Sequence, residues 1–166
     1  MIQIYTGNGR GKSSCAFGLA IRAAMANKKV FIGQFVKDMK YNETKIENHL
    51  ENIDIKQFGN GCFINRKPKK LDKIKAVKGL DYIEKNIDFY DIFILDEITI
   101  ALNYKLISTD TLITFLEKYK DNKEFIITGR NCPKKIYNHA DLITEMKEIK
   151  HYFSKQNITS RDGFDK

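Results

Sequence analysis

Short, largely apolar runs alternate with amphipathic stretches from one end of the sequence to the other. Ile2-Gln3-Ile4-Tyr5 reads as a strand, and Val30-Phe31-Ile32-Gly33-Gln34-Phe35 as a buried one. Between them, Ser14 to Ala26 sets Phe17, Leu19, Ile21, Ala24 and Met25 among alanines, which predicts a helix. Tyr41 to Leu50 is a short helical candidate, and Ile53-Asp54-Ile55 a weak strand. Leu71, Ile74, Val77 and Leu80 recur at helical spacing within a predicted helix from Leu71 to Ile87. The run Asp91-Ile92-Phe93-Ile94-Leu95-Asp96-Glu97 is an apolar strand ending in two carboxylates. Thr109 to Tyr119 predicts a helix capped by Thr109 or Asp110, and Glu124 to Arg130 a strand closing on a glycine turn. A brief helix at Lys134 to Asn138 and a last strand at Leu142 to Met146 precede a polar, loop-like tail from Lys150.

Strands that alternate with helices over the whole length predict a parallel sheet covered on both faces, a three-layer α/β domain spanning residues 1–166. Ligands of such sheets bind beyond the C-terminal strand ends. Three segments fall there: Gly7 to Ser13, Asp96-Glu97 and Gly129-Arg130.

The first of these carries the strongest chemistry. Gly7-Asn8-Gly9-Arg10-Gly11-Lys12-Ser13 follows a strand and opens a helix, the arrangement that cradles nucleotide phosphates on backbone N–H groups and a helix N-terminus. Lys12 would supply a mobile cation, and the Ser13 hydroxyl would complete a Mg²⁺ shell. Against the usual G-x-x-x-x-G-K-[ST] pattern, Thr6 stands at the first Gly position and Gly7 and Gly9 are additional. Ile92 to Glu97 then has the form of a Walker B strand, whose end can hold Mg²⁺ opposite Ser13. The choice between Asp96 and Glu97 stays open, and Arg130 reads equally as a phosphate or substrate contact or as a surface residue.

Composition adds limits. Cys15, Cys62 and Cys132 are odd in number and form no C-x-x-C pair, which argues for reduced thiols in the cytoplasm. No apolar run approaches the roughly 20 residues of a membrane span, and a chain opening on a strand and phosphate loop is expected to lack a signal peptide. A net charge of +8 suits a polyphosphate ligand as well as nucleic acid. No basic stripe interleaved with aromatics supports nucleic acid as a partner, and the cluster Arg66-Lys67-Pro68-Lys69-Lys70 reads as the polar opening of a helix. His49, His139 and His151 lack metal-ligand spacing to one another.

Thr6-Gly7-Asn8-Gly9-Arg10-Gly11-Lys12-Ser13-Ser14-Cys15-Ala16-Phe17-Gly18-Leu19-Ala20 resembles the opening of the P-loop type of ATP:corrinoid adenosyltransferase, TGNGKGK[ST]TAAFG. Gln34-Phe35-Val36-Lys37 is similar to that family's QFIKG, and Leu95 to Leu102 to its LDELTYAL. Ile127-Thr128-Gly129-Arg130 and Ala140 to Met146 resemble its ITGR and ADTVTEM. The resemblance implies a P-loop NTPase (RecA-like) fold and transfer of the 5′-deoxyadenosyl group of ATP to the Co(I) of a corrinoid, releasing triphosphate. It implies ATP held in reverse, with the γ-phosphate where other P-loops place the α-phosphate. Triphosphate contacts then fall to Gly7, Asn8, Gly9, Arg10, Gly11, Lys12, Ser13 and Ser14, and Mg²⁺ (or Mn²⁺) to Ser13 with Asp96 or Glu97. Lys12 and Ser13 would act in catalysis, and Arg130 would lie near the nucleotide or corrinoid. A flavoprotein reductant and a homodimer are further expectations from the likeness.

Three features depart from that family. Arg10 replaces its usual Lys; the sequence opens on the first strand, so the N-terminal extension of some relatives is not expected; and Gly61-Cys62-Phe63-Ile64 stands where many carry G-F-T-W, in a sequence without Trp. Phe63 or a neighbour is then the candidate to act at the corrinoid's lower face, and ordinary core packing accounts for Phe63 equally well. The competing activities are phosphoryl transfer by a P-loop kinase or ATPase, opposed by the absence of an Arg-rich lid, and a nucleic-acid-dependent RecA-like ATPase.

Overall fold

A computed structural model of the chain describes residues 1–61, 67–152 and 161–164. Six strands, β1 (Ile2–Thr6), β2 (Val30–Phe35), β3 (Ile53–Phe58), β4 (Ile92–Asp96), β5 (Glu124–Thr128) and β6 (Leu142–Glu145), form one all-parallel sheet. Their order is β3-β2-β4-β5-β1-β6. The connecting helices are α1 (Lys12–Met25), α2 (Lys70–Lys85), α3 (Ile98–Asn103), α4 (Thr109–Tyr119) and α5 (Lys134–Tyr137), with 3₁₀ turns at Asn42–Asn48 and Ile87–Phe89.

Period-two alternation assigns the two faces of the sheet. Phe31, Phe35, Phe93, Leu95, Phe125 and Ile127 point to one side, into a core completed by α2, α3, α4 and α5. Val30, Ile32, Ile94 and Ile126 point to the other, where Ala16, Phe17, Ala20 and Ala24 of α1 cover them. Alanines let α1 lie close to the sheet. Strands buried on both faces are continuous apolar runs for this reason. Parallel pairing also brings every C-terminal strand end to one edge, so Thr6, Phe35, Asp96 and Thr128 share a rim.

β2 and α4 occupy the predicted ranges, and the remaining strands and long helices lie within a few residues of theirs. Several details differ. The candidate from Tyr41 to Leu50 is a 3₁₀ turn, and α4 is capped by Ser108, whose Oγ accepts from the Thr111 amide at 3.0 Å. Of the stripe that marks α2 as a helix only Leu80 is buried: Leu71, Ile74 and Val77 are exposed, while Ala76, Gly79 and Ile83 pack inward with Leu80. A Cβ on Gly79 would come within 2.6 Å of the Phe58 ring, so the small residue sets the distance of closest approach. The basic cluster does open α2. The Lys69 amide donates to Asp72 Oδ2 at 2.6 Å there, while Arg66 lies outside the described residues.

Candidate functional site

The phosphate-type loop joins β1 to α1 on the shared rim. Thr6 is the last β1 residue, paired with Glu145 of β6 in extended backbone, so a glycine is not needed at that position. The left-handed conformation instead falls one residue later, at Gly7 with φ 97°, and again at Gly11 with φ 114°, just before α1. The additional glycines have a second cause. A Cβ on Gly7 would sit 2.4 Å from the Met146 carbonyl oxygen, and one on Gly9 2.7 Å from the same atom. The Gly9 amide donates to that carbonyl at 2.7 Å, and the Met146 amide donates to the Thr6 carbonyl at 2.8 Å. The chain leaving β6 therefore lies directly on the loop, and only residues without a side chain fit beneath it.

Lys12 is buried and folds back so that Nζ donates to the Gly9 carbonyl at 2.6 Å. Burial lowers its pKa, an effect opposed by the charge of Glu97. Ser13 Oγ donates to Asp96 Oδ1 at 2.7 Å, which joins the loop to the end of β4. Asp96 is fully buried yet well supplied with donors. Thr128 Oγ1 donates to Oδ1 at 2.7 Å, Gln34 Nε2 donates to Oδ2 at 3.1 Å, and Lys37 Nζ lies 3.6 Å from Oδ2. Gln57 steadies Gln34 from β3, its Nε2 donating to Gln34 Oε1 at 2.8 Å. Such a network rigidifies a carboxylate that would otherwise be costly to bury.

Glu97 follows in the left-handed region at φ 59°, its amide donating to Thr128 Oγ1 at 2.9 Å. Its side chain accepts no hydrogen bond among the described residues. Burial, followed by the Asp96 charge, raises its pKa, against the opposing pull of Lys37, Lys12 and Arg130. Arg130 is anchored by its backbone: Thr99 Oγ1 and Asn103 Nδ2 donate to its carbonyl at 2.8 and 3.1 Å, and its side chain is exposed. Gly129 before it has φ 133°, and a Cβ there would fall 2.1 Å from Thr99 Oγ1.

Lys12, Ser13, Asp96, Glu97 and Arg130 are thus brought to one rim, as the sequence reading expects. Asn8 and Ser14 lie exposed on the same loop and first turn. Arg10 points away into the polar tail: Nη1 donates to the Tyr152 hydroxyl at 3.1 Å, and Nη2 donates to the Phe164 carbonyl. That tail also reaches the 3₁₀ turn, where Asn42 Nδ2 donates to Asp162 Oδ1 at 2.7 Å. Phe63 lies outside the described residues. Gln34, Lys37, Thr99 and Thr128 are site residues that the motif reading assigns no role. A polar Gln and Lys closing a buried strand are the available signal.

The donor set at the rim is one hydroxyl and two carboxylates. Among the described residues no cluster of three or more His, Cys, Asp or Glu is placed to hold a metal ion. None of the described helices is long and apolar enough to cross a membrane.

Comparison with known proteins agrees with this geometry. The model of the family described as ATP:corrinoid adenosyltransferase BtuR/CobO/CobP matches residues 1–165. A corrinoid adenosyltransferase of Salmonella typhimurium is 27% identical over 99% of this chain and 85% of its own length. One from a Sinorhizobium species is 32% identical over 98% of this chain and 78% of its own. Among solved structures, the flagellar accessory protein FlaH of Methanocaldococcus jannaschii superposes with a TM-score of 0.62 at 14% identity. That match covers 87% of this chain and 69% of FlaH, a likeness of fold alone. With the phosphate-type loop joined to its Walker B carboxylate and the family match running along nearly the whole chain, this protein belongs to the ATP:corrinoid adenosyltransferase family of enzymes.

Proposed function

We propose that the chain transfers the 5′-deoxyadenosyl group of ATP to the Co(I) of a corrinoid, cobalamin or a precursor, and releases triphosphate. The observation that carries this reading is the Ser13–Asp96 hydrogen bond at 2.7 Å beside a buried Lys12, in a chain matched to the family from residue 1 to 165. In the reaction the cobalt electron pair forms a bond to the ribose C5′. The C5′–O bond breaks, and its electrons leave on the triphosphate. The corrinoid supplies the nucleophile, so the protein's work is to orient the reactants and to stabilise the departing charge.

Each rim residue suits part of that work. Lys12 exchanges the Gly9 carbonyl for a phosphate oxygen, and amides of the loop from Asn8 to Ser13, other than that of Gly9, which is held by the Met146 carbonyl, receive the rest of the anion. The sparse donor set of Ser13, Asp96 and Glu97 fits Mg²⁺, or Mn²⁺, which completes its shell with substrate phosphates and would neutralise the leaving group. Asp96 already accepts three hydrogen bonds and acts through Ser13, whereas Glu97 retains free carboxylate oxygens. Arg130 adds exposed positive charge at the same rim. Arg10, engaged with the tail, ties the C-terminal segment to the loop rather than binding phosphate. The reading extends to a cytoplasmic homodimer served by a flavoprotein reductant; the family resemblance supports those parts.

Incubation with Mg-ATP and chemically reduced cobalamin tests the proposal through the corrinoid spectrum and the phosphate product. Adenosylated corrinoid with an equal amount of triphosphate is expected, and Lys12→Ala is expected to abolish both while keeping the wild-type circular dichroism. ADP formed without corrinoid would instead identify a phosphoryl-transfer enzyme.

A further inference from the structure

The residue after β2 is held with unusual care for one outside the phosphate loop and the Walker B strand. Val36 adopts φ 57°, a left-handed conformation that a β-branched residue enters only under constraint. Lys37 follows, and its backbone is pressed by the chain leaving β3. A Cβ on Gly59 would lie 2.2 Å from the Lys37 nitrogen, and the Gly59 amide donates to the Lys37 carbonyl at 2.9 Å. The Lys37 side chain is only 8% exposed. Its ammonium lies 3.6 Å from Asp96 Oδ2 and 5.7 Å from the centre of the Tyr41 ring, and it donates no hydrogen bond among the described residues.

Asp96 does not need this cation to satisfy its oxygens, since Ser13, Thr128 and Gln34 already donate to them. No side-chain nitrogen among the described residues is both fully buried and without a partner, so the Lys37 ammonium, paired with Asp96, keeps some contact with solvent. A strained backbone that holds a cation there suits a ligand that completes its bonding. The missing partner must offer several anionic oxygens, because the ammonium has three protons to donate. It must also reach the rim at the ends of β2 and β4. Lys37 approaches one oxygen of Asp96 while Ser13 holds the other, and its charge acts on Glu97 as that of Lys12 does. We propose that Lys37 is a second triphosphate-binding cation, beside the same Asp96–Glu97 pair on which the Lys12 charge acts. The proposal rests on the reading of the rim as an ATP triphosphate site. A single lysine in the loop would hold one end of the leaving group; a second at the end of β2 would let the site bind the anion at two points.

Calorimetric titration of the full-length protein with inorganic triphosphate and Mg²⁺, alongside thermal melts without ligand, tests this. Lys37→Met is expected to weaken triphosphate binding about tenfold or more, the scale of a lost charge-assisted contact. Its melting temperature should stay close to that of wild type, because Ser13, Thr128 and Gln34 still donate to both Asp96 oxygens. Lys37→Arg should recover part of the affinity. Wild-type affinity in Lys37→Met overturns the proposal. So does an affinity loss that appears only with a lowered melting temperature and is not recovered by Lys37→Arg, which would make Lys37 simply the counter-ion of Asp96. Failure of the wild-type protein to bind triphosphate at all would refute the underlying site reading, a result distinguishable from either.

Discussion

Replacing Gly9 by Ala separates two explanations for the glycine-rich loop. If Gly9 served only to free the backbone for a phosphate, the substitution would affect ligand binding and leave the ligand-free fold intact. In the structure, however, the new Cβ would meet the Met146 carbonyl oxygen at 2.7 Å and two further backbone carbons of residues 146 and 147 at 2.9 Å. None of these atoms belongs to a flexible side chain, so the β6 end must retreat. Its retreat strains the Gly9–Met146 hydrogen bond of 2.7 Å and the adjoining Met146–Thr6 bond of 2.8 Å. Overpacking costs about 1–3 kcal/mol and a weakened hydrogen bond about 1 more, offset by about 0.4–1 from a stiffer unfolded chain. The net loss is about 2 kcal/mol, or a fall of about 4–8 °C in melting temperature for a chain of this size. Gly18 is the internal control. It lies exposed within α1 with nothing within 4 Å of an added Cβ, so Gly18→Ala should gain about 0.5–1 kcal/mol. Differential scanning fluorimetry and urea denaturation of both variants without nucleotide measure this. A Gly9→Ala protein as stable as wild type, beside a stabilised Gly18→Ala, would refute the packing argument.

Three further outcomes follow from the same rim and core. Asp96→Ala strands the Lys37 ammonium and removes the acceptor of Ser13, Thr128 and Gln34, and should cost about 3–5 kcal/mol in urea denaturation; a loss below about 0.5 kcal/mol contradicts the network. Glu97 has a raised pKa in the folded state, so its ionisation opposes folding. That penalty is absent below the unfolded carboxylate range and develops as the pH rises through it and the folded value. Glu97→Gln should therefore exceed wild type in metal-free stability at pH 7 and match it at pH 4, and a variant no more stable at pH 7 would argue against it. Burial pushes the Cys132 thiol up to about 12, leaving on the order of one part in ten thousand as thiolate at pH 8. Native Cys132 should resist alkylation at that pH, as read by peptide mass spectrometry, and rapid labelling would show that the core around it opens.

What the chain reveals on reading depends on how local each feature is. β2 is legible to the residue because a six-residue run with one polar side chain has no other use in a chain of alternating elements. Lys12, Ser13 and Asp96 are legible because their motifs carry their own spacing. α3 escapes notice: its six residues, Ile98–Asn103, start from the left-handed Glu97 and are too short to show a helical period. The part played by Lys37 and Gln34 depends on lateral pairing, since Gln34 aligns with Asp96 only because β2 lies beside β4. Nothing in local spacing states that adjacency. Gly7 and Gly9 are a middle case. Their presence marks the loop, but the close approach that demands them comes from the β6 end, far along the chain. Ser108 displaces the expected caps of α4 for a simpler reason, as any of three neighbouring polar residues could have served.

The central claim is that carbon rather than phosphorus is attacked, and the fate of one oxygen tests it directly. ATP labelled with heavy oxygen in the C5′–O–P bridge is incubated with the protein, Mg²⁺ and reduced cobalamin, and the products are resolved by mass spectrometry. Attack at C5′ sends the label wholly into triphosphate and leaves none on the adenosyl group bound to cobalt. Label retained on a nucleoside product, with ADP or inorganic phosphate released, would contradict it.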